Sequence, residues 1–186
     1  MTPRIFRRQP GTRQRGFTIV ELMVTVCLAA ILFGFAIPSF RRMIVNNRLV
    51  TQTNDLIGAI NYARSEAITQ NTSVSFCRAA DETATACVGS TGNWTFWIVR
   101  NNGSNSVSRR GGISTYGNGI KVTSDLNSDA MTYGSDGLGR NGLTTTTLIG
   151  TEVITVCSPN INSENIRTVT PGAGSRLTTT RTTGSC

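Results

Sequence analysis

The chain has 186 residues, of which 38% are hydrophobic and only 15% are charged, and its formal net charge at pH 7 is +8. This length suits one domain with an appendage, and the low charged fraction favours a turn-rich β domain over a charged helical bundle. Because the sequence contains no histidine, it excludes Ser-His-Asp and Cys-His catalytic sites and His-ligated zinc, and we expect no enzyme, no cofactor and no metal.

The positive charge is concentrated at the N-terminus. No acidic residue precedes Gly16, but five of the 18 basic residues do: Arg4, Arg7, Arg8, Arg13 and Arg15. If residues 1–16 form a leader that is removed, the other 13 basic residues face 10 acidic ones, a net charge of +3. The overall charge is therefore a poor indicator of nucleic-acid binding for the mature chain.

An apolar run follows the basic stretch directly. Residues 22–37 contain no charge and one polar side chain, Thr25, and with the residues from Phe17 onward about 21 residues are available, enough for a helix to cross a bilayer. A secretory signal peptide has similar basic and apolar regions, with residues 34–36 as a cleavage site. The acid Glu21 near the start of the run, and helical periodicity beyond it, favour a helix that stays attached.

Glu21 is costly in an apolar segment unless a positive group compensates its charge. Cleavage after Gly16 would expose an α-amino group on Phe17, one helical turn away, in the same chain or in a neighbouring one. The N-terminus of a helix also favours a nearby anion. The structural alternative is a carboxylate that reaches out to the lipid head groups.

The order Arg15-Gly16-Phe17-Thr18-Ile19-Val20-Glu21-Leu22, the apolar run and Pro38 together resemble the class III signal of type IV pilins and type II secretion pseudopilins. The resemblance implies cleavage between Gly16 and Phe17 by a prepilin peptidase and N-methylation of Phe17. It also implies that Glu21 pairs with the N-terminal amine of an adjacent subunit during assembly. Pro38 lies where pilins carry a helix-kinking proline, and its missing N–H predicts a bend.

Beyond Pro38 the helical pattern becomes amphipathic over residues 39–70. Apolar or small residues recur at spacings of four and three: Leu49, Thr53, Leu56, Ile60, Ala63 and Ala67. The run Ala63-Arg64-Ser65-Glu66-Ala67-Ile68 near its end is similar to the GspH/FimT/FimU branch of the pilins. The arginines before residues 17–38 favour a cytoplasmic N-terminus, against which Arg41, Arg42 and Arg48 act.

Residues 71–186 lose the helical period and predict a β-rich globular body, so we expect an α+β fold in which a long N-terminal helix packs on antiparallel sheets. Glycine-rich turns separate the short β-prone runs. The predicted runs are Thr72–Cys77, Trp94–Arg100, Gly119–Thr123, Met131–Tyr133, Leu148–Gly150, Glu152–Cys157, Asn165–Thr170 and Arg176–Thr180.

Four of the five cysteines lie in this body, where export would permit disulfides. Four cysteines allow three pairings. Proximity favours Cys77 with Cys87 and Cys157 with Cys186, and the connectivity stays open at this stage. A zinc site built from the four thiolates is the alternative, although the sequence has no CxxC pair.

Two other patterns point to ligands. Asp125, Asn127, Asp129 and Asp136 imitate part of a calcium loop, but Ala130 stands where such a loop needs glycine, so turn capping is the preferred interpretation. Scattered arginines suggest DNA contacts, with Arg176 and Arg181 as candidates. FimT-type pilins bind DNA through a GRxR motif, from which Gly174-Ser175-Arg176-Leu177 departs, so solvated surface arginines are the preferred interpretation.

The resemblance as a whole implies a minor pilin of the type IV pilus, similar to the FimU kind. It would be anchored in the inner membrane by one span, with its body in the periplasm, and would join other minor pilins and the major pilin in a priming or tip complex for twitching motility. The alternatives are a FimT-like DNA-uptake pilin, a GspH-like secretion pseudopilin and a soluble exported protein.

Overall fold

The structure, a computed structural model, describes residues 16–113, 119–144, 146–172 and 176–186, and for residues 35–39 it describes only the helical backbone. Residues 1–15 of the predicted leader over residues 1–16 and the side chain of Pro38 therefore lie outside the described residues. The chain divides into two compact units between Phe40 and Arg41.

One helix and a set of short strands build the chain. The helix α1 begins at Ile19 and ends at Thr69. Among the described residues it is followed by nine strands: β1 (Val74–Ala79), β2 (Phe96–Asn101), β3 (Ser106–Gly112), β4 (Lys121–Ser124), β5 (Ala130–Tyr133), β6 (Gly139–Asn141), β7 (Ile154–Cys157), β8 (Ile166–Pro171) and β9 (Leu177–Thr182).

The strands form two antiparallel sheets. The first sheet has the order β3-β2-β1-β5-β6 and the second the order β4-β7-β8-β9. Every strand pairing is antiparallel. The expected α+β class is therefore confirmed.

The amphipathic half of α1 covers the core between these sheets. The six residues of the predicted stripe are all buried: Leu49, Thr53, Leu56, Ile60, Ala63 and Ala67. The polar member, Thr53, satisfies its hydroxyl by donating to the carbonyl oxygen of Leu49 at 2.7 Å. Both sheets contribute to the same apolar cluster, with residues such as Phe76 and Tyr133 from the first sheet and Val156 and Val169 from the second.

Strand β2 is buried on both faces. Trp97 and Val99 point to the main core with α1. Ile98 belongs to a second, smaller cluster with Cys77 on the opposite face of the first sheet. Because an apolar cluster covers each face, the first four residues of the strand are continuously apolar instead of alternating.

The predicted strands need three corrections: one predicted segment is not a strand, and two strands were missed. The segment Leu148–Gly150 is not a strand, since Leu148 forms only an isolated bridge with Arg140. Strands β3 and β6 were not predicted. The first is an edge strand with mostly exposed polar residues, and the second has three residues and begins with Gly139, so neither carries an apolar period.

Candidate assembly site

The first turn of α1 is capped by its own sequence. Thr18 precedes the helix, and its Oγ1 accepts a hydrogen bond of 3.2 Å from the backbone N–H of Glu21. This satisfies one of the free N–H groups at the start of the helix. A threonine followed three residues later by a glutamate is the spacing of a capping box, a signal present in the sequence that the sequence analysis did not use.

The predicted processing and assembly residues are accessible. Gly16 and Glu21 are exposed, and the Phe17 side chain is 82% exposed. The Glu21 carboxylate lies in the first helical turn, where the partial positive charge of the helix N-terminus stabilises it. Both the Gly16–Phe17 bond and the Glu21 carboxylate can therefore be reached by a second protein.

The large apolar side chains on either side of Glu21 in the sequence remain exposed on all sides of the helix. Their exposed fractions range from 53% to 78% for Ile19, Val20, Leu22, Met23, Val24, Val26, Leu28, Ile31, Leu32 and Phe33. Thr25 donates its hydroxyl to the carbonyl oxygen of Leu22 at 2.8 Å, so this polar group is satisfied within the helix. A contiguous apolar surface of this kind marks a region that contacts lipid or other proteins.

Within the described residues, no helix reaches the length and apolar character that crossing a membrane requires. The apolar run continues into residues 35–39, whose side chains lie outside the described part. The expected span over residues 17–38 and the bend at Pro38 therefore remain predictions.

The arginines considered for DNA contacts are dispersed. Arg140 pairs with Asp136 at 2.6 Å, and Arg109 lies 5.9 Å from the ring centres of both Tyr62 and Trp97. The two candidates Arg176 and Arg181 are exposed: Arg176 directly precedes β9, and Arg181 lies near its end.

Of the four residues that imitate a calcium loop, Asp129 and Asp136 have different hydrogen-bond partners. Asp129 is fully buried and accepts hydrogen bonds from Arg78 Nε at 2.8 Å, the Gly92 N–H at 2.7 Å and the Ser124 hydroxyl at 2.6 Å. Asp136 accepts from the Leu138 N–H at 3.0 Å, which is turn capping. Hydrogen bonds from Arg140, then this backbone bond, lower the pKa of the Asp136 carboxyl well below its ordinary value. The buried role of Asp129 was missed, because two of its partners, Arg78 and Gly92, are distant in the sequence.

Two disulfides close the body. Cys77 is joined to Cys87 and Cys157 to Cys186, with Cα–Cα distances of 5.6 and 5.8 Å. This is the pairing that sequence proximity favoured. The first bridge fastens the loop after β1, and the second fastens the C-terminal residue to β7. Cys27 is a free and exposed thiol.

Two models of known protein families match this chain, one near its N-terminus and one over most of the rest. The family model described as Type II transport protein GspH matches residues 52–174, more than half of the chain. The model of the prokaryotic N-terminal methylation motif matches residues 11–37. No curated protein matches the chain significantly.

Two similar solved structures are crystal structures of the type IV minor pilin FimU from Pseudomonas aeruginosa. The P65 form is 16% identical, covers 70% of this chain and 90% of that chain, and has a TM-score of 0.48. The P21 form is 17% identical, covers 72% and 88%, and has a TM-score of 0.50. At these identities the likeness concerns the fold alone.

Proposed function

Because the chain belongs to the GspH family, in the GspH/FimU branch of type IV pilins and pseudopilins, we propose that it is a minor pilin of the FimU kind. A prepilin peptidase would cleave it after Gly16, and Phe17 would be N-methylated. Residues 17–38 would anchor it in the inner membrane with a cytoplasmic N-terminus and a periplasmic body. From there it would enter a pilus, in the priming or tip complex that supports twitching motility.

One observation carries this proposal: an exposed carboxylate in the first helical turn is followed by an exposed apolar helix. A helix that is apolar on all sides is stable both in lipid and in a bundle of similar helices. The transfer of such a helix from lipid into a bundle of similar helices therefore costs little free energy. A specific polar contact then sets the position of the helix along its neighbours. Glu21 supplies that contact by pairing with the free amine of a neighbouring subunit, which compensates both charges in an apolar environment.

The test is substitution Glu21→Ala in cells that assemble pili. We expect membrane insertion and cleavage after Gly16 to be unchanged and recovery of the protein in sheared pili to be lost. Glu82→Ala is the matched control, because Glu82 is an exposed acid of the body whose backbone carbonyl, which the substitution keeps, accepts a hydrogen bond from Arg110. Normal recovery of the Glu21 variant in pili would refute the proposed pairing.

Processing is tested on the same samples. Mass spectrometry of the purified mature protein should find Phe17 as the first residue, carrying one added methyl group. Any other N-terminus, including one after residues 34–36, would favour the soluble exported protein. Carbonate extraction of membranes checks the proposed anchor, since an integral helix stays in the pellet.

A GspH-like pseudopilin is the second candidate, because the matching family model covers the body. Deletion of the gene separates the two roles. Loss of twitching with normal secretion supports the pilus role, and loss of secretion with normal twitching supports the secretion role.

DNA binding through Arg176 and Arg181 is the third candidate. The exposure of both side chains supports access by a polyanion. Fluorescence anisotropy of a labelled oligonucleotide with the full chain in detergent, at two salt concentrations, tests it. Binding that weakens at higher salt and in the double variant Arg176→Gln/Arg181→Gln supports this role, and no binding at micromolar protein and low salt refutes it.

A further inference from the structure

Two arginines of the second sheet lie directly opposite each other. Arg167 of β8 and Arg181 of β9 are cross-strand partners in the antiparallel register, so their side chains leave the sheet on the same face. Like charges in such a pair destabilise the strand pairing. Within the described part of the chain, no carboxylate forms an ion pair with either guanidinium.

Arg167 is buried although it carries this charge. Its residue is only 2% exposed. Its Nη2 donates to the Asn46 side-chain oxygen at 2.7 Å and its Nη1 to the Glu164 carbonyl oxygen at 2.8 Å. Its Nε is buried and has no acceptor among the described residues. All the acceptors that hold this cation are neutral.

The surroundings act against the charged form of Arg167. Burial lowers the pKa of its guanidinium, the charge of Arg181 lowers it further, and the Glu164 carboxylate opposes them with the smallest influence. An arginine nevertheless stays protonated at neutral pH. The site therefore holds an excess of positive charge in a poorly solvated position, which a bound anion would offset.

A small pocket lies beside the two guanidiniums. It has a volume of about 240 Å³ and is lined by α1, β8 and β9: Val50, Thr53, Asn54, Arg167, Thr179 and Arg181. This is below the roughly 300–1,000 Å³ of pockets that enclose drug-sized ligands. Asn54 and Thr179 add uncharged donors, so the lining suits a small group that accepts several hydrogen bonds.

We propose that this Arg167–Arg181 pocket binds a phosphate group. A phosphate carries between one and two negative charges at neutral pH and has several acceptor oxygens, which matches two guanidiniums better than the single charge of a carboxylate or chloride. The planar guanidinium also fits phosphate geometry with two parallel hydrogen bonds. This site is independent of Glu21 and of the assembly role.

Thermal unfolding of the full chain in detergent tests the site, with inorganic phosphate as the probe and sodium chloride at equal ionic strength as the reference. A ligand that binds only the folded state raises Tm as its concentration increases. We expect a phosphate-specific rise in the unsubstituted chain. In Arg181→Gln the apparent affinity for phosphate should fall about tenfold, because one charge-assisted contact is lost.

Arg176→Gln is the matched control, because Arg176 is an exposed arginine beside the same strand and does not line the pocket. It should keep the full phosphate effect. An equal effect in the two variants, or no phosphate-specific effect in the unsubstituted chain, would overturn the proposal. Both substitutions are at exposed positions, so loss of folding does not complicate the comparison.

A second arm identifies the source of the phosphate. A single-stranded oligonucleotide is added as a competitor while phosphorus NMR follows the broadening of the inorganic phosphate signal. Competition that depends on Arg181 assigns the site to a phosphodiester backbone, and phosphate binding without competition assigns it to the free ion or a phosphomonoester. Absence of broadening in the unsubstituted chain refutes the site.

Discussion

The side chain of Arg64 donates a hydrogen bond from Nε to the carbonyl oxygen of Gly137 at 3.1 Å, which fastens the end of α1 to the turn between β5 and β6. Ile68, one helical turn further on, contacts the same glycine. A Cβ added to Gly137 would lie 2.9 Å from Ile68 Cδ1, and the backbone φ of Gly137 is +73°. The two helical residues share one face, so the turn is held both by a hydrogen bond and by close packing.

Gly137→Ala should therefore reduce stability. The left-handed backbone costs a residue with a Cβ about 1–2 kcal/mol, and displacement of Ile68 adds to this. Chemical denaturation of the full chain in detergent measures the change in the free energy of unfolding.

Gly58→Ala is the control for that measurement. Gly58 lies inside α1, and a Cβ there would meet nothing within 4 Å, so alanine should stabilise the helix by up to about 1 kcal/mol. The two glycine substitutions thus have opposite expected signs. A Gly137 variant as stable as the unsubstituted chain would show that the turn can move away from α1.

Local periodicity was sufficient to predict the helix and its buried face. The stripe from Leu49 to Ala67 needs only the helical repeat, and its partners can be any apolar surface. The edge strand β3 was not predictable in this way, because Arg109 and Arg110 are exposed and Gly111 and Gly112 have no side chain to alternate. A Cβ at Gly111 would lie 2.3 Å from the indole of Trp97, a contact that exists only once β2 and β3 are paired.

The candidate sites also divide into one that local sequence predicts and one that depends on contacts between distant segments. Thr18 and Glu21 are three residues apart, so their hydrogen bond follows from helix geometry and the sequence carries the signal. Arg167 and Arg181 are cross-strand partners only in the observed register between β8 and β9. A threonine-rich strand does not specify that register strongly. The burial of Arg167 depends further on Asn46, which is distant in the sequence.

The ion pair between Arg78 and Asp129 should be a major contributor to the stability of the body. The Asp129 side chain is fully buried and also accepts from Gly92 and Ser124. Asp129→Ala should reduce the free energy of unfolding by about 3–5 kcal/mol, because it leaves Arg78 without its counter-charge. Asp136→Ala is the comparison and should cost less, because the Asp136 side chain is 46% exposed and solvent screens its pair with Arg140. Equal losses in the two variants would contradict this assignment.

Tyr133 should ionise at unusually high pH. Burial raises the pKa of its phenol from 10.0 to about 12, against a small lowering by Arg64. A folded-state pKa above the unfolded value means that this contribution to stability is complete below pH 10 and is lost as pH rises toward 12. Ultraviolet titration of tyrosinate in the folded chain should lose its latest step in Tyr133→Phe. A variant titration identical to that of the unsubstituted chain would show that Tyr133 is not the late group.

The disulfide between Cys157 and Cys186 should stabilise the last strand, β9, against local opening. Cys186 is the last residue, 29 positions after Cys157, and Gly184 is also held by hydrogen bonds with the Asn165 side chain. Removing the bridge in Cys157→Ala/Cys186→Ala restores freedom to the unfolded chain and should reduce stability by about 2–4 kcal/mol.

Hydrogen exchange localises that effect. The amides that pair β9 with β8 should exchange faster in the double variant, because the residues after β9 are then held by hydrogen bonds alone, such as those of Gly184 with Asn165 and of Thr183 with Glu164. The matched control is Cys77→Ala/Cys87→Ala, whose bridge closes a loop beside the first sheet. It should leave exchange in β9 unchanged relative to global stability. Faster exchange in β9 for both double variants alike would show that the strand opens only with the whole body, and that the C-terminal bridge has no local role.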